Sequence, residues 1–276
     1  MNSFEQALAY LLKVGSVTAV QLFTLGGPVL VLILVMSKLS ELVQRIAITL
    51  FGVSFYLLLF GWFGTAVHET GHLIFARAFG HKVLAFRPFA PDLKRGRLGN
   101  VDIQDDGNLL QYISLFFLGI APILFGTLLI FLALYFLFHD QMPEIVRSVA
   151  AESEDTASLL RNILMASFAF IGFLFSPEHL LDWRLYLFLY IAFAIGSSIH
   201  LSSTDISVSK MGCLTFTVIL FMFNLILLPL GITSTDTFAW ISPYYTFFYV
   251  ILVFVMLLNL LAAALLWLPA SIRRSA

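Results

Sequence analysis

The chain is 276 residues long, with 60% hydrophobic and 11% charged residues and a net charge of −1. A soluble domain carries about 25% charged residues, so this composition excludes an ordinary globular protein and points to several membrane helices. Near-neutral charge argues against nucleic acid as a partner, and a single cysteine, Cys213, excludes an internal disulfide or a Cys-based zinc site.

Taken in order, residues 1–16 are amphipathic, with Leu8, Leu11 and Leu12 set against Glu5, Gln6 and Lys13, and are expected at the membrane interface. No short apolar core followed by a small-residue cleavage site is in view, so the first span, 17–36, is expected to act as an uncleaved anchor. Gly26-Gly27-Pro28 predicts a kink within it. Residues 37–45 read as a polar turn. A second apolar helix, 46–77, follows. The polar stretch 78–108 contains two alternating runs, Lys82 to Arg87 and Leu98 to Gln104, separated by turn residues, which predicts a β-hairpin. Residues 109–138 form a third span, and 139–161 an acidic loop or short helix. Residues 162–175 are apolar but short for a crossing. A helix over 185–199 leads to His200 and Asp205, and 212–231 and 244–268 are the last two spans. The expected fold is therefore an all-α polytopic membrane protein of about six transmembrane helices with a short membrane-associated hairpin. It forms a single integral membrane domain: an N-terminal part (1–45), a core (46–210) and two C-terminal spans (211–276).

The chemistry concentrates near the end of the second span. His68 and His72 are four residues apart, so on a helix their imidazoles share one face and can reach one metal ion. Glu69 is rotated about 100° from His68, beside such an ion. This HExxH pattern supplies two zinc ligands and a general base. Charged groups at the centre of a membrane cost about 2.5–3.5 kcal/mol each, which makes such residues functional candidates. A catalytic zinc takes a third protein ligand. Asp205 is the first choice, because small residues before it (Ala192, Gly196, Ser197, Ser198) permit close packing. His200 is the alternative, and Glu178, His179 and Asp182 a third. Asp205 reaches the depth of the histidines only if 162–175 dips in and out of the membrane without crossing. With that topology, ten of the 15 Lys and Arg lie on the side of the HExxH helix end, which places that side in the cytoplasm.

The run His68-Glu69-Thr70-Gly71-His72, with Ala76, Gly80 and Val83, resembles the HExGH-x3-A-x3-G-x2-V signature of site-2-protease-like membrane zinc metalloproteases. Gly119-Ile120-Ala121-Pro122 followed by Gly126 resembles the second core helix of that group. The resemblance implies a three-helix core, with HExxH on the first helix, a returning second helix and an aspartate ligand brought by the third, and a hairpin after the first. It implies a zinc metallo-endopeptidase that cuts membrane-anchored proteins within or near the bilayer, in the inner membrane of a bacterium, with its site toward the cytoplasm. The family's third helix carries Asn-Pro and Asp-Gly, whereas here Ile206 follows Asp205. No inserted soluble domain is expected. Asn100 and Ser203 are candidate contacts to an unwound substrate. The competing reading is a non-proteolytic scaffold or transporter with a structural or degenerate metal site.

Overall fold

The computed structural model describes residues 3–92, 97–104, 109–150, 159–199, 203–231 and 242–275. It is a helical protein with one small antiparallel sheet. Among the described residues, four helices are long and apolar enough to cross a membrane: Ser3–Phe51, Ser114–Leu137, Gly212–Leu230 and Thr246–Ile272.

The first helix, α1 (Ser3–Phe51), is continuous for 49 residues and keeps Pro28 inside it. The expected interfacial helix, first span and polar turn at 37–45 are thus one element. The charges that suggested a turn form a helical face instead. Glu41 pairs with Lys38 at 3.5 Å and with Arg45 at 3.8 Å, at i,i+3 and i,i+4 spacing. The opposite face is apolar or packed: Ser40 and Val43 are buried. The break falls at Gly52, whose φ of 87° and ψ of 159° suit glycine and few other residues.

From there the chain forms α2 (Val53–Tyr56), a π-helical turn (Leu57–Gly61) and α3 (Trp62–Ala78). A π turn disturbs the regular backbone ladder. Tyr190 donates its hydroxyl proton to the Leu59 carbonyl there, at 2.7 Å. α3 ends at Gly80, where φ is 76° and the His81 amide returns to the Ala76 carbonyl at 2.9 Å. The chain then enters β1 (Lys82–Arg87), which pairs antiparallel with β2 (Asn100–Gln104) from Lys82↔Gln104 to Arg87↔Asn100. The hairpin expected from the alternation is present, with a bulge between Val83 and Ala85.

The remaining helices are α4 (Leu109–Leu137), α5 (Met142–Ala150), α6 (Leu159–Leu174), α7 (Trp183–Gly196), α8 (Ser203–Leu227) and α9 (Ser242–Ser275). α4 runs antiparallel to α3, since Gly71 faces Ala121 while His81 meets Ser114. α7 runs parallel to α3, since Phe60 packs on Phe193 and Gly64 lies against Ala194 and Ser198. Small residues set these approaches. A Cβ on Gly71 would sit 3.0 Å from the Ala121 carbonyl oxygen. One on Gly64 would overlap the Ser198 side chain and the Ala194 carbonyl. Gly64→Ala is therefore expected to push α7 away from α3. The overpacking cost is about 1–3 kcal/mol, read as a lower unfolding midpoint in detergent.

One main apolar core, with Ile130, Leu134, Phe138, Phe170, Phe188 and Val255 among its buried members, lies where α4, α6, α7 and α9 meet. A polar clamp joins α1 to α8: the Asn224 amide donates to Gln21 at 2.7 Å and to Thr18 at 2.9 Å. Such interhelical bonds hold helices together where apolar burial gives no preference for protein over lipid.

Candidate metal centre

The site lies where α3, α4, the end of α7 and the start of α8 converge. His68 and His72 stand one turn apart on α3, with ring centroids 5.0 Å apart. Asp205 belongs to the first turn of α8 rather than to a helix running on from 185–199, because α7 stops at Gly196. The acid therefore sits at a helix N-terminus, where the backbone dipole favours negative charge.

The three side chains close on one point. His72 Nε2 is 3.3 Å from Asp205 Oδ1, and His68 Nε2 is 3.8 Å from Asp205 Oδ2. The two Nε2 atoms are 3.3 Å apart. A tetrahedral zinc with bonds of about 2.0–2.1 Å sets its ligand atoms roughly 3.3–3.4 Å apart. The His68–His72 and His72–Asp205 separations match that figure, while His68 faces the other carboxylate oxygen; with one donor atom from each residue, the three lie within 4.8 Å of one another. The group His68, His72 and Asp205 could thus hold a metal ion. The side chains are only 11–16% exposed, so the site is shielded from bulk solvent.

Backbone groups of neighbouring helices aim both rings. His68 Nδ1 lies 3.1 Å from the Ser198 carbonyl oxygen. A carbonyl only accepts, so Nδ1 carries the proton and Nε2 is left with its lone pair toward the Asp205 side. His72 is likewise hydrogen-bonded to the backbone of Leu118 on α4.

No protein-family model, curated protein or solved structure matches this chain. The chemical reading of the centre thus rests on its own residues.

Glu69 points from α3 toward the hairpin. Gly99, just before β2, lies against it: a Cβ there would be 2.6 Å from Glu69 Cγ and 3.0 Å from Thr65 Cγ2. Glu69 is within electrostatic reach of both the Asp205 carboxylate and the Arg97 guanidinium. The carboxylate thus stands beside the three ligands and is no member of their set.

The other sequence candidates fall elsewhere. Asn100 donates its amide to Asp102 at 2.7 Å on the exposed hairpin and is not part of the His–Asp group. Ser203 opens α8, with its side chain outside the described residues, as is all of His200. His179 builds the α6–α7 turn, with Nδ1 2.8 Å from the Phe173 carbonyl. Asp182 caps α7 by accepting from the Arg184 amide at 2.9 Å. Both belong to the end of α7 opposite Ser198. The Ser198 carbonyl and the Leu118 backbone escaped sequence reading because a main-chain group has no residue signature. Gly99 carried one faint sign, a glycine inside an alternating run.

Proposed function

We propose that the protein is a membrane-embedded zinc metallo-endopeptidase of the site-2-protease type, acting on membrane-anchored proteins within or near the bilayer. The observation that carries this reading is the convergence of His68, His72 and Asp205, one donor atom from each lying within 4.8 Å of the others, with Glu69 on the adjoining helix face. These are two neutral imidazoles and a carboxylate, a donor set that suits zinc and leaves a coordination position open. Among the described residues the group has three members, as an open catalytic site requires.

A zinc ion held by the three side chains would acidify a water and polarise a carbonyl at that open position. Glu69 does the proton work. Its carboxylate takes the proton from the attacking water and returns it to the amide nitrogen as the C–N bond breaks. Asp205 offsets positive charge, and the Ser198 and Leu118 backbone groups keep both rings from swinging. A helical substrate cannot offer its carbonyl, because its backbone is bonded internally. It has to unwind, and the free edge of the two-stranded sheet can pair with it as an added strand.

The six-span arrangement belongs to this proposal. It adds α2–α3 and α7 to the four long helices and leaves α6, at 16 residues, dipping in and out. The parallel course of α3 and α7 supports it, since both helices then deliver their metal-binding ends to one side. The positive-inside bias sets that side toward the cytoplasm, in a bacterial inner membrane.

The test is the zinc content of detergent-purified protein. One zinc per chain is expected. A wild-type protein that binds none, after incubation with zinc and desalting, overturns the metalloprotease reading.

A further inference from the structure

The hairpin is held firmly at its base and lightly at its far end. At the base, the His81 amide donates to the Ala76 carbonyl at 2.9 Å, and His81 Nε2 lies 2.6 Å from Ser114 Oγ. These bonds tie the start of β1 to α3 and α4. Beyond β1 the two arms stay paired. The Ala90 amide donates to the Leu98 carbonyl at 2.7 Å, and Asp92 and Arg97 exchange both backbone bonds, at 2.7 and 3.1 Å. Residues 88–92 and 97–99 therefore extend the hairpin as one unit, which β1 carries about 20 Å from the base at 3.3 Å per residue.

That unit comes down on α3 at Glu69. Not even a methyl group fits between them: a Cβ on Gly99 would stand 2.6 Å from Glu69 Cγ and 3.0 Å from Thr65 Cγ2. Thr65, beneath the contact, is 8% exposed. A peptide strand needs about 4.8 Å beside its neighbour, so none passes over Glu69 on this side while the contact stands. The contact itself is loosely made. Among the described residues, no hydrogen bond joins Thr65 or Glu69 to the hairpin. Besides packing, what holds it is the attraction of the exposed Arg97 guanidinium for the Glu69 carboxylate. Directional bonds thus secure one end of the lever and not the other.

We propose that the far end of the hairpin is a lid on Glu69, closed in the free protein with Gly99 on the stem of the carboxylate, and lifted from α3 to admit an unwound substrate segment. This rests on the protease reading. A strand added at the sheet edge meets Glu69 only in the lifted state. Gly99 makes closure complete because it brings no side chain between the backbone and Glu69. The closed state keeps bulk water and stray chains from the general base until a substrate displaces the lid.

The lid is tested by locking it. In a Cys213→Ser background, which removes the exposed native thiol, Thr65→Cys and Gly99→Cys are introduced together. Their Cβ atoms fall roughly within the 3.5–4.5 Å that a disulfide spans. Oxidised protein is expected to keep its zinc and to cleave a single-span reporter at under about a tenth of the rate recovered on reduction. Each single-cysteine protein, oxidised alongside, should not change. Equal cleavage before and after reduction, with the disulfide formed, overturns the lid. Failure of the disulfide to form in folded, zinc-loaded protein also overturns it, since Gly99 then does not rest on Thr65. If the reduced pair is itself inactive, spin labels at Arg87→Cys and Ile74→Cys, both exposed positions, follow the hairpin in Glu69→Gln protein. Bound, uncut reporter is expected to change their separation by about 5 Å, the width of one strand. An unchanged separation with reporter bound overturns the lid. Zinc-loaded wild-type protein that cleaves no reporter overturns the protease reading and the lid with it, whereas failure of the lid alone leaves wild-type protein active.

Discussion

On the proposed function, Glu69→Gln protein is expected to keep one zinc per chain and to hydrolyse peptide bonds about 10²–10⁴-fold more slowly than wild type. Glutamine has the size of glutamate and keeps an oxygen, so the contact with Gly99 is preserved. What it lacks is a group that can accept and return a proton. The metal ligands are untouched, because Glu69 is outside the His68–His72–Asp205 group. The comparison is made on a single-span reporter that wild-type protein cleaves, with zinc measured on the same preparations. Full activity in the variant would remove Glu69 from the mechanism. Loss of zinc would make it a ligand and require the centre to be redrawn.

Asp205→Ala is expected to weaken zinc binding by more than about 100-fold, since loss of an outer partner alone costs 10–100-fold. His72→Ala should match it. Both variants remove one of three donor atoms that lie within 4.8 Å of one another. Neither leaves a replacement within reach, because no further His, Cys, Asp or Glu joins the group among the described residues. Zinc affinity is read by competition with a chelator of known strength. Wild-type affinity in Asp205→Ala would send the third ligand to His200, which follows α7 directly in the sequence.

The parts of this centre that depend on side-chain spacing were legible in the sequence. His68 and His72 are bound to one face by the helical period, and Asp205 could be picked from few acids because Gly196, Ser197 and Ser198 before it are small. Gly64 is the point where α3 meets α7. The hairpin followed from alternation alone. The unread parts have physical causes. Charges at 38, 41 and 45 fit a turn or a helical face equally well, and the helix won because no glycine or proline lies between Pro28 and Gly52. The break between α7 and α8 falls among small polar residues that also suit a helix interior in a membrane. A surface groove is made by two segments distant in sequence, Ser54–Trp62 and Phe89–Pro91, and no local pattern reports such a meeting.

The C-terminal carbonyls of α7 have a consequence for experiment. A helix leaves its last carbonyls without amide partners, and in a membrane no water stands ready to replace them. Here side chains from other elements do so: Ser40 of α1 donates to the Ser197 carbonyl, and His68 of α3 donates to that of Ser198. The imidazole proposed to bind zinc on one nitrogen therefore secures a helix end with the other. Deleting it removes a ligand and strands a buried acceptor at once, a cost of about 1–3 kcal/mol beyond the metal. His68→Ala is thus a poor metal-free control, and inactivity in it would mix misfolding with lost chemistry. His68→Asn, whose amide is short but can still donate, separates the two: it should recover thermal stability without recovering zinc.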